Sequence, residues 1–384
     1  MSLKPSSAGR PRRAGFNLRL QESGLFLVIF ALGALLTLRG GTVRLPKIRI
    51  NAQGEPERVF TTNSSGEKIL VMEEKNKFLN ADNLTKLAKD TSFFAIMAVG
   101  ATFVIISGGI DLSVGSIYAF ASVLAALTLH AYGPDGPGSK TPAWESVTLG
   151  IAVCLGSATL CGLLNGAMIV ALRVHPFIVT LGTMAIYRGV AFVMTEGQSV
   201  GGFPPAFSAL VKWETFNGLR LAPMMVMFAV TIAGSIYLSR LAAGRRIYAV
   251  GGNELASRFS GIRVSRVKLG VYVISGLTAG ISALMAIGYY GSASSGDGGG
   301  YELDVIASAV VGGASLAGGR GTALGAFLGA LIIKMIDNGI IILDINQNYS
   351  RIIIGLAVVL AVLLDQVNHW LARRRLLSEN RQAH

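Results

Sequence analysis

A succession of long, almost uninterrupted apolar runs constrains this chain more than any other feature. They lie near residues 91–107, 113–131, 146–172, 177–195, 221–241, 268–290, 303–317, 322–343 and 349–367, with a first run at 24–38. A spanning helix needs roughly 20 mostly apolar residues, and lipid offers no partner for an unpaired backbone amide. The runs therefore predict an all-α polytopic membrane protein of about ten spans. A soluble domain does not usually hide a chain that is 52% hydrophobic and 14% charged, with a mean hydropathy of +0.55. Several runs fall short of a full span, which admits half-helices or re-entrant segments around 108–116 and 312–321. Gly162/Gly166, Gly276/Gly280 and Gly325/Gly329 stand at the small-xxx-small spacing that lets membrane helices approach closely.

The charged residues give the topology. Residues 1–22 are polar and basic and lead straight into the first apolar run. The length of that basic region, the lack of a small-x-small site before Arg39 and the spans that follow favour an uncleaved first helix over a removed signal peptide, with the N-terminus inside. Alternation then puts Arg173, the loop at 244–268, Arg320 and the cluster Arg373, Arg374, Arg375 in the cytoplasm. The segments 132–145, 196–220, 291–302 and 344–348, all poor in Lys and Arg, fall outside. The expected organisation is a cytoplasmic tail at 1–22, a transmembrane domain at 23–369 and a cytoplasmic tail at 370–384. An external insert at 39–77 carries both signs of charge. Its run ERVFTT, turn-like NSSG and EKILVME read as a hairpin of two short strands or as a loosely ordered loop. The net charge of +13 follows from this placement at termini and short loops, and no basic stripe interleaved with aromatics offers a nucleic-acid platform.

Other chemistries are missing from the sequence. No G-x-x-x-x-G-K-[ST] run is present, and GPDGPGSKT at 133–141 places Ser139 between the final Gly and Lys140, so no nucleotide cofactor is expected on this chain. GDGGG at 296–300 and GGRGT at 318–322 read as tight turns. His130, His175, His369 and His384 make no metal-ligand pattern. Cys154 and Cys161, seven apart on one helix, are about 10 Å apart along its axis and too far for a disulfide. An intramembrane hydrolase would use Asp111 and Asp304 with Ser113 or Ser308, but those carboxylates belong to helix ends on opposite sides of the membrane.

The polar stretch GRRIYAVGGNELASRFSGIRVSRVK, 244–268, holds more chemistry than a connector needs. Gly251, Gly252, Ala256, Ser257 and Gly261 would let a short helix lie close to a partner surface, with Asn253, Glu254, Arg258 and Arg263 giving directional contacts. Within the spans, Lys334 and Asp337 stand three apart on one face and can neutralise each other, or can line a pathway. Asn165 and Asn338 can hold helices together or bond solute hydroxyls. Arg188 needs an acidic or carbonyl partner, and Asp111 before Ser113 can cap the next helix or touch solute. Phe177, Tyr187 and Tyr349 are candidate stacking rings or interface anchors.

Three stretches resemble the ribose-type sugar permeases, the membrane subunits of ATP-driven importers fed by a periplasmic binding protein. They are FVIISGGIDLSVGSIYA (103–119), GLLNGAMIVALRVHPFIVTLGTMAIYRG (162–189), and the 244–268 stretch with its continuation YELDVIASAVVGGASLAGGRGT (301–322). With their spacing they cover most of residues 78–367. Branched-chain amino-acid permeases share the wider superfamily but usually differ at DLSVG, which favours sugar. The resemblance implies a bacterial inner-membrane permease that works as a homodimer with two ATP-binding subunits and a soluble sugar-binding protein, ATP and Mg residing on the partner ATPase. Residues Gly251 to Gly261 would form its coupling helix, and Asp111, Ser113, Gly115 and Arg188 fall within the matching stretches as structural motif positions. The chemistry of the side chains, rather than the resemblance, offers Asn165, Tyr187, Asp337, Asn338 and Tyr349 as candidates for the solute pathway. A monosaccharide of the ribose or xylose type is the expected cargo. The alternatives are another small polar solute, or a stand-alone carrier or channel. The chain departs from the family pattern in the length of the 39–77 insert, in His175 before Pro176, and in the charges of Lys334 and Asp337.

Overall fold

The computed structural model describes residues 20–51, 56–63, 66–213, 220–357, 359–360 and 363. The basic residues up to 19 and the tail expected at 370–384, with Arg373, Arg374 and Arg375, lie outside the described residues. Helix α1 (Leu20–Arg39) leads into six short strands, β1 (Thr42–Pro46), β2 (Ile48–Ile50), β3 (Pro56–Arg58), β4 (Phe60–Thr62), β5 (Lys68–Leu70) and β6 (Met72–Asn76). The hairpin expected from ERVFTT and EKILVME is present as β4–β5, with Phe60 opposite Leu70, but it is one of three antiparallel arms. The β1–β6 stem, the β2–β3 arm and the β4–β5 arm meet in a ring of backbone hydrogen bonds. In it the Lys47 amide donates to the Val71 carbonyl, Val71 to Val59, and Val59 back to Lys47, at 2.8 to 2.9 Å. Each arm alone would be marginal, and the ring lets each brace the other two.

Helix α2 (Ala81–Ile106) is the axis of the bundle, buried almost throughout from Thr91 to Ile106. Asn80 caps it, its side-chain oxygen accepting from the Asn83 amide at 2.8 Å. Helices α3 (Val114–Ala131), α4 (Ala143–Leu172) and α5 (Pro176–Thr195) follow, with Arg173 in the left-handed region between the last two and Pro176 opening α5. A two-residue strand β7 (Val200–Gly201) and the short α6 (Pro205–Val211) precede α7 (Ala222–Arg240). Then come α8 (Ala242–Gly252), α9 (Glu254–Phe259) and α10 (Val264–Tyr290), and β8 (Ser292–Ala293), which pairs antiparallel with β7. Helices α11 (Tyr301–Val311) and α12 (Ala323–Ile342) come next, and residues 350–357 begin a further helix after a 3-10 turn at Gln347–Tyr349.

Eight of the described helices are long and apolar enough to cross a membrane: α1, α2, α3, α4, α5, α7, α10 and α12. The span expected at 303–317 is corrected. Its helix, α11, has 11 residues, about 16 Å of rise against a hydrocarbon core of about 30 Å, and the chain continues non-helically through 312–322. The tenth run, at 349–367, is described only in part.

Small residues decide how the helices meet. Gly276 on α10 lies against Gly162 and the Ala158 carbonyl of α4, and Gly325 and Gly329 on α12 lie against the backbone of Gly312 and Ser308. All three expected glycine pairs therefore carry backbone-to-backbone approach. The thiol of Cys154 donates to the Gly280 carbonyl at 3.5 Å across the α4–α10 contact, and both cysteines are free and buried. Gly276→Ala is expected to cost about 1–3 kcal/mol by overpacking this contact. Gly156→Ala, where an added methyl meets nothing within 4 Å, should leave the melting temperature unchanged or slightly raised. Thermal unfolding of the two variants in detergent checks the contrast, and equal loss in both would contradict it.

Candidate functional site

The breaks in the helices create the first polar constellation. Helix α2 ends at Ser107, Gly108 adopts φ +81°, and the extended segment that follows would leave backbone groups bare in an apolar interior. Neighbouring side chains fill them: the Tyr272 hydroxyl donates to the Ile110 carbonyl at 3.1 Å and Thr180 to the same oxygen at 3.3 Å. Asp111, 2% exposed, accepts from the amide and hydroxyl of Ser113 on Oδ1, at 3.0 and 2.6 Å, and from the Ser275 hydroxyl on Oδ2 at 2.8 Å. Asn165 donates to the Ser113 hydroxyl at 2.7 Å and accepts from the Tyr187 hydroxyl at 3.2 Å. Asn165 and Tyr187 thus sit in a closed network joining α4, α5 and the 107–113 segment, and neither lines the cavity at the strand end. Asp111 holds the turn into α3, and Gly115 gives room for the 296–302 segment, whose Gly298 carbonyl and Glu302 side chain an added methyl would strike. The Arg188 guanidinium finds carbonyl partners, as its position required, donating to Ser295 at 2.9 Å and Asp297 at 3.0 Å. Burial pushes the Asp297 carboxyl up, against the opposing pull of the Ser294 amide and the Arg188 charge.

A cavity of about 720 Å³ opens in the half of the bundle that carries the strands. It is walled by the first half of α2, the start of α11, the second half of α12 and the helix beginning at 350. Lys334 stands in its wall, 8% exposed, with Nζ 2.8 Å from Asp337 Oδ2, 3.8 Å from Asp304 Oδ2 and 3.4 Å from the centre of the Phe94 ring. Ser350 donates to the other oxygen of Asp337 at 2.8 Å, and Asn338 exchanges amide hydrogen bonds with Asn83 of α2. The Tyr301 ring lies 4.4 Å from Phe94. The wall therefore alternates carboxylates, cations and aromatic faces, a surface suited to a solute rich in hydroxyls. Asp337 and Asn338 line it. Tyr349 does not, being half-exposed in the turn beside Ser350 and Arg351, which do. Phe177 is exposed at the other end of the bundle. Sequence reasoning passed over Phe94, Tyr301, Ser350 and Arg351, which look like ordinary helix or loop residues until four elements bring them together.

At the opposite end, α9 forms a compact knob. Asn253 caps it by accepting from the Ala256 amide at 2.9 Å, and Gly261 at φ +79° closes its far end, with the Ile262 amide on the Ser257 carbonyl. Glu254 bonds Lys268 of α10 at 2.7 Å and Arg258 at 2.8 Å, contacts that hold its carboxyl below the ordinary value, Lys268 contributing most. These two charges are thus engaged within the chain. The outward face instead presents Leu255 and Phe259, 63% and 85% exposed, which sequence reasoning missed although they are the apolar residues in a polar stretch. Gly251 packs against the Ile106 carbonyl at the end of α2, and that carbonyl accepts from the Gly319 amide at 2.8 Å.

Lys334→Ala leaves Asp304 and Asp337 without their shared cation. Breaking such a pair costs about 3–5 kcal/mol. The double variant Lys334→Leu with Asp337→Asn should recover most of the loss, as read by thermal unfolding. For Glu254 the carboxyl lies below 4.5 in the folded chain, so its pairing contributes above that pH and is lost as pH falls through the lowered value. The anisotropy of a dye on Ser260→Cys should stay flat down to about pH 5 and drop in more acidic solution, and Glu254→Gln should abolish the drop.

No solved structure matches the chain. It is 38% identical over 291 residues to the ribose import permease protein RbsC of Escherichia coli (strain K12), covering 75% of this chain and 87% of that protein. It is 35% identical over 292 residues to the D-allose transport system permease protein AlsC of the same strain, covering 76% and 85%. To that strain's xylose transport system permease protein XylH it is 32% identical over 347 residues, covering 75% and 86%. Residues 83–362 match the family model described as branched-chain amino acid transport system / permease component, and the chain belongs to that permease family.

Proposed function

We propose that this chain is the membrane subunit of an ATP-driven importer, passing a monosaccharide of the ribose or xylose type from a soluble binding protein to the cytoplasm. In this reading the strand end faces outward, α9 and the N-terminus face the cytoplasm of a bacterial inner membrane, and two copies work with two ATP-binding subunits. The observation that carries it is the course of α2. Its first half walls the 720 Å³ cavity through Lys86, Asp90, Phe93 and Phe94, and its last carbonyl, on Ile106, touches Gly251 and Gly319 beside the α9 knob. A displacement of the knob is therefore applied to the far end of the helix that shapes the solute cavity. The names of the relatives supply the cargo class, and the alternation of carboxylates with aromatic faces supports it.

Leu255 and Phe259 would seat in a groove of the ATP-binding subunit, since a solvent-facing phenylalanine on a six-residue helix is otherwise a solubility cost. Closure of the nucleotide sites pulls the two knobs together, and the buried α2 transmits that motion outward. No nucleotide is handled by this chain in such a scheme, so ATP and Mg act on the partner alone. A second reading, a carrier or channel working by itself, predicts uptake without the ATPase.

Proteoliposomes holding the permease with and without the ATP-binding subunit separate these readings: uptake of labelled ribose or xylose should vanish without it, and persistence would defeat the importer. Leu255→Ala with Phe259→Ala should lower uptake and stimulated ATP hydrolysis at least about tenfold, the scale of losing a buried interface anchor worth about 2 kcal/mol. Size-exclusion profiles of the isolated permease should be unchanged. Full uptake by the double variant would remove α9 as the coupling element.

A further inference from the structure

A second cavity, of about 590 Å³, opens between the inner ends of α7, α8 and α10. Its rim carries three arginines, Arg246 on α8 and Arg263 and Arg266 where α10 begins. Its deeper wall is apolar, formed by Tyr237, Val271 and Ile274. No carboxylate lines it, and none of the three guanidinium groups makes a salt bridge or side-chain hydrogen bond among the described residues. Close by, Glu254 takes both Lys268 and Arg258 and leaves no carboxylate for the three arginines.

Three guanidinium groups around one opening repel each other, and each offers a planar fork of donors that matches phosphate oxygens and that no carboxylate in the wall satisfies. The depth gives the rest of the ligand. From Arg263 to Ile274 is 11 residues of α10, about 16 Å along the helix, which carries the cavity from the rim into the spanning segment. A free phosphate would leave that apolar wall wet, whereas an amphiphile fills it. We infer that this cavity is a binding site for an anionic glycerophospholipid, its phosphate on Arg246, Arg263 and Arg266 and its acyl chain along Tyr237, Val271 and Ile274. Basic pockets between membrane helices on the cytoplasmic side commonly hold acidic headgroups in this way.

The site has a consequence for transport, because the turn that closes α9, residues 260–262, forms part of its wall. A lipid lodged there props the knob against α8 and α10, so an anionic membrane should favour coupling. The assignment of the cavity to the inner leaflet rests on the orientation proposed above, whereas the binding chemistry does not.

The test titrates the purified full-length permease with phosphatidylglycerol or phosphatidylcholine and counts retained lipid by native mass spectrometry. Phosphatidylglycerol should bind at least tenfold tighter than phosphatidylcholine, and Arg246→Gln with Arg263→Gln and Arg266→Gln should bring the two within about twofold. Should the triple variant misfold, Arg263→Gln and Arg266→Gln alone should each weaken phosphatidylglycerol about threefold or more. An unchanged preference in these variants, or none in the native chain, overturns the site. Displacement of the lipid by millimolar inorganic phosphate, or by assembly with the ATP-binding subunit, overturns the lipid as occupant. Labelling of Ser260→Cys by an impermeant maleimide from outside intact cells would instead overturn the orientation, with lipid preference in detergent unaffected.

Discussion

Everything in this fold follows from the absence of water where the helices stop. Inside a bilayer a carbonyl or amide released from a helix has only protein to bond, and two of this chain's helices stop within the bundle. After α2 the freed groups at Ile110 and Ser113 are taken up by Tyr272, Thr180 and Asp111. After α11 the Gly319 amide returns to Ile106, the Ser315 amide to Arg320, and the Gly321 carbonyl accepts from Tyr248. The Gly319 bond ties the second break to the last carbonyl of α2, so the breaks brace each other.

That meeting point sets the mechanics. Gly251 lies on the same carbonyl, which means that the end of α8, from which α9 follows, rests directly on the interrupted ends rather than on a loop. With glycines at 108, 251, 318 and 319 in mutual backbone contact, side chains that could cushion a displacement are missing. The charges of the cavity are arranged by the same economy: Lys334 would be costly alone, and Asp304, Asp337, Ser350 and the Phe94 face together make it tolerable while leaving polar edges toward the cavity.

Reading the sequence located the elements better than their uses. The interrupted regions at 108–116 and 312–321 were visible because glycine and polar residues shorten otherwise apolar runs, and the three glycine pairs because their spacing is local. Assigning 303–317 as a full span failed because apolar length does not record where a helix ends; α11 stops at Val311, where the Gly312 backbone presses on Gly325. For Asn165 the sequence left helix contact and solute contact both open, and the fold joins it to Tyr187 and Ser113, since a polar side chain in a helix can face a neighbour as readily as a solute. The insert at 39–77 betrayed its β4–β5 hairpin through alternation, but the ring of Lys47, Val59 and Val71 joins residues twelve apart through backbone alone.

The sequence by itself determined that this chain belongs in a membrane, where most helices run, and that a short polar helix lies within 251–261, because hydropathy, capping and helix spacing act over a few neighbouring residues. Only the tertiary structure decided which polar groups are spent on repairing broken helices and which face the cavity, and that Leu255 and Phe259 point away from the bundle. Those outcomes depend on which residues from distant segments arrive within 3 Å of one another, and nothing in a local pattern encodes that arrival.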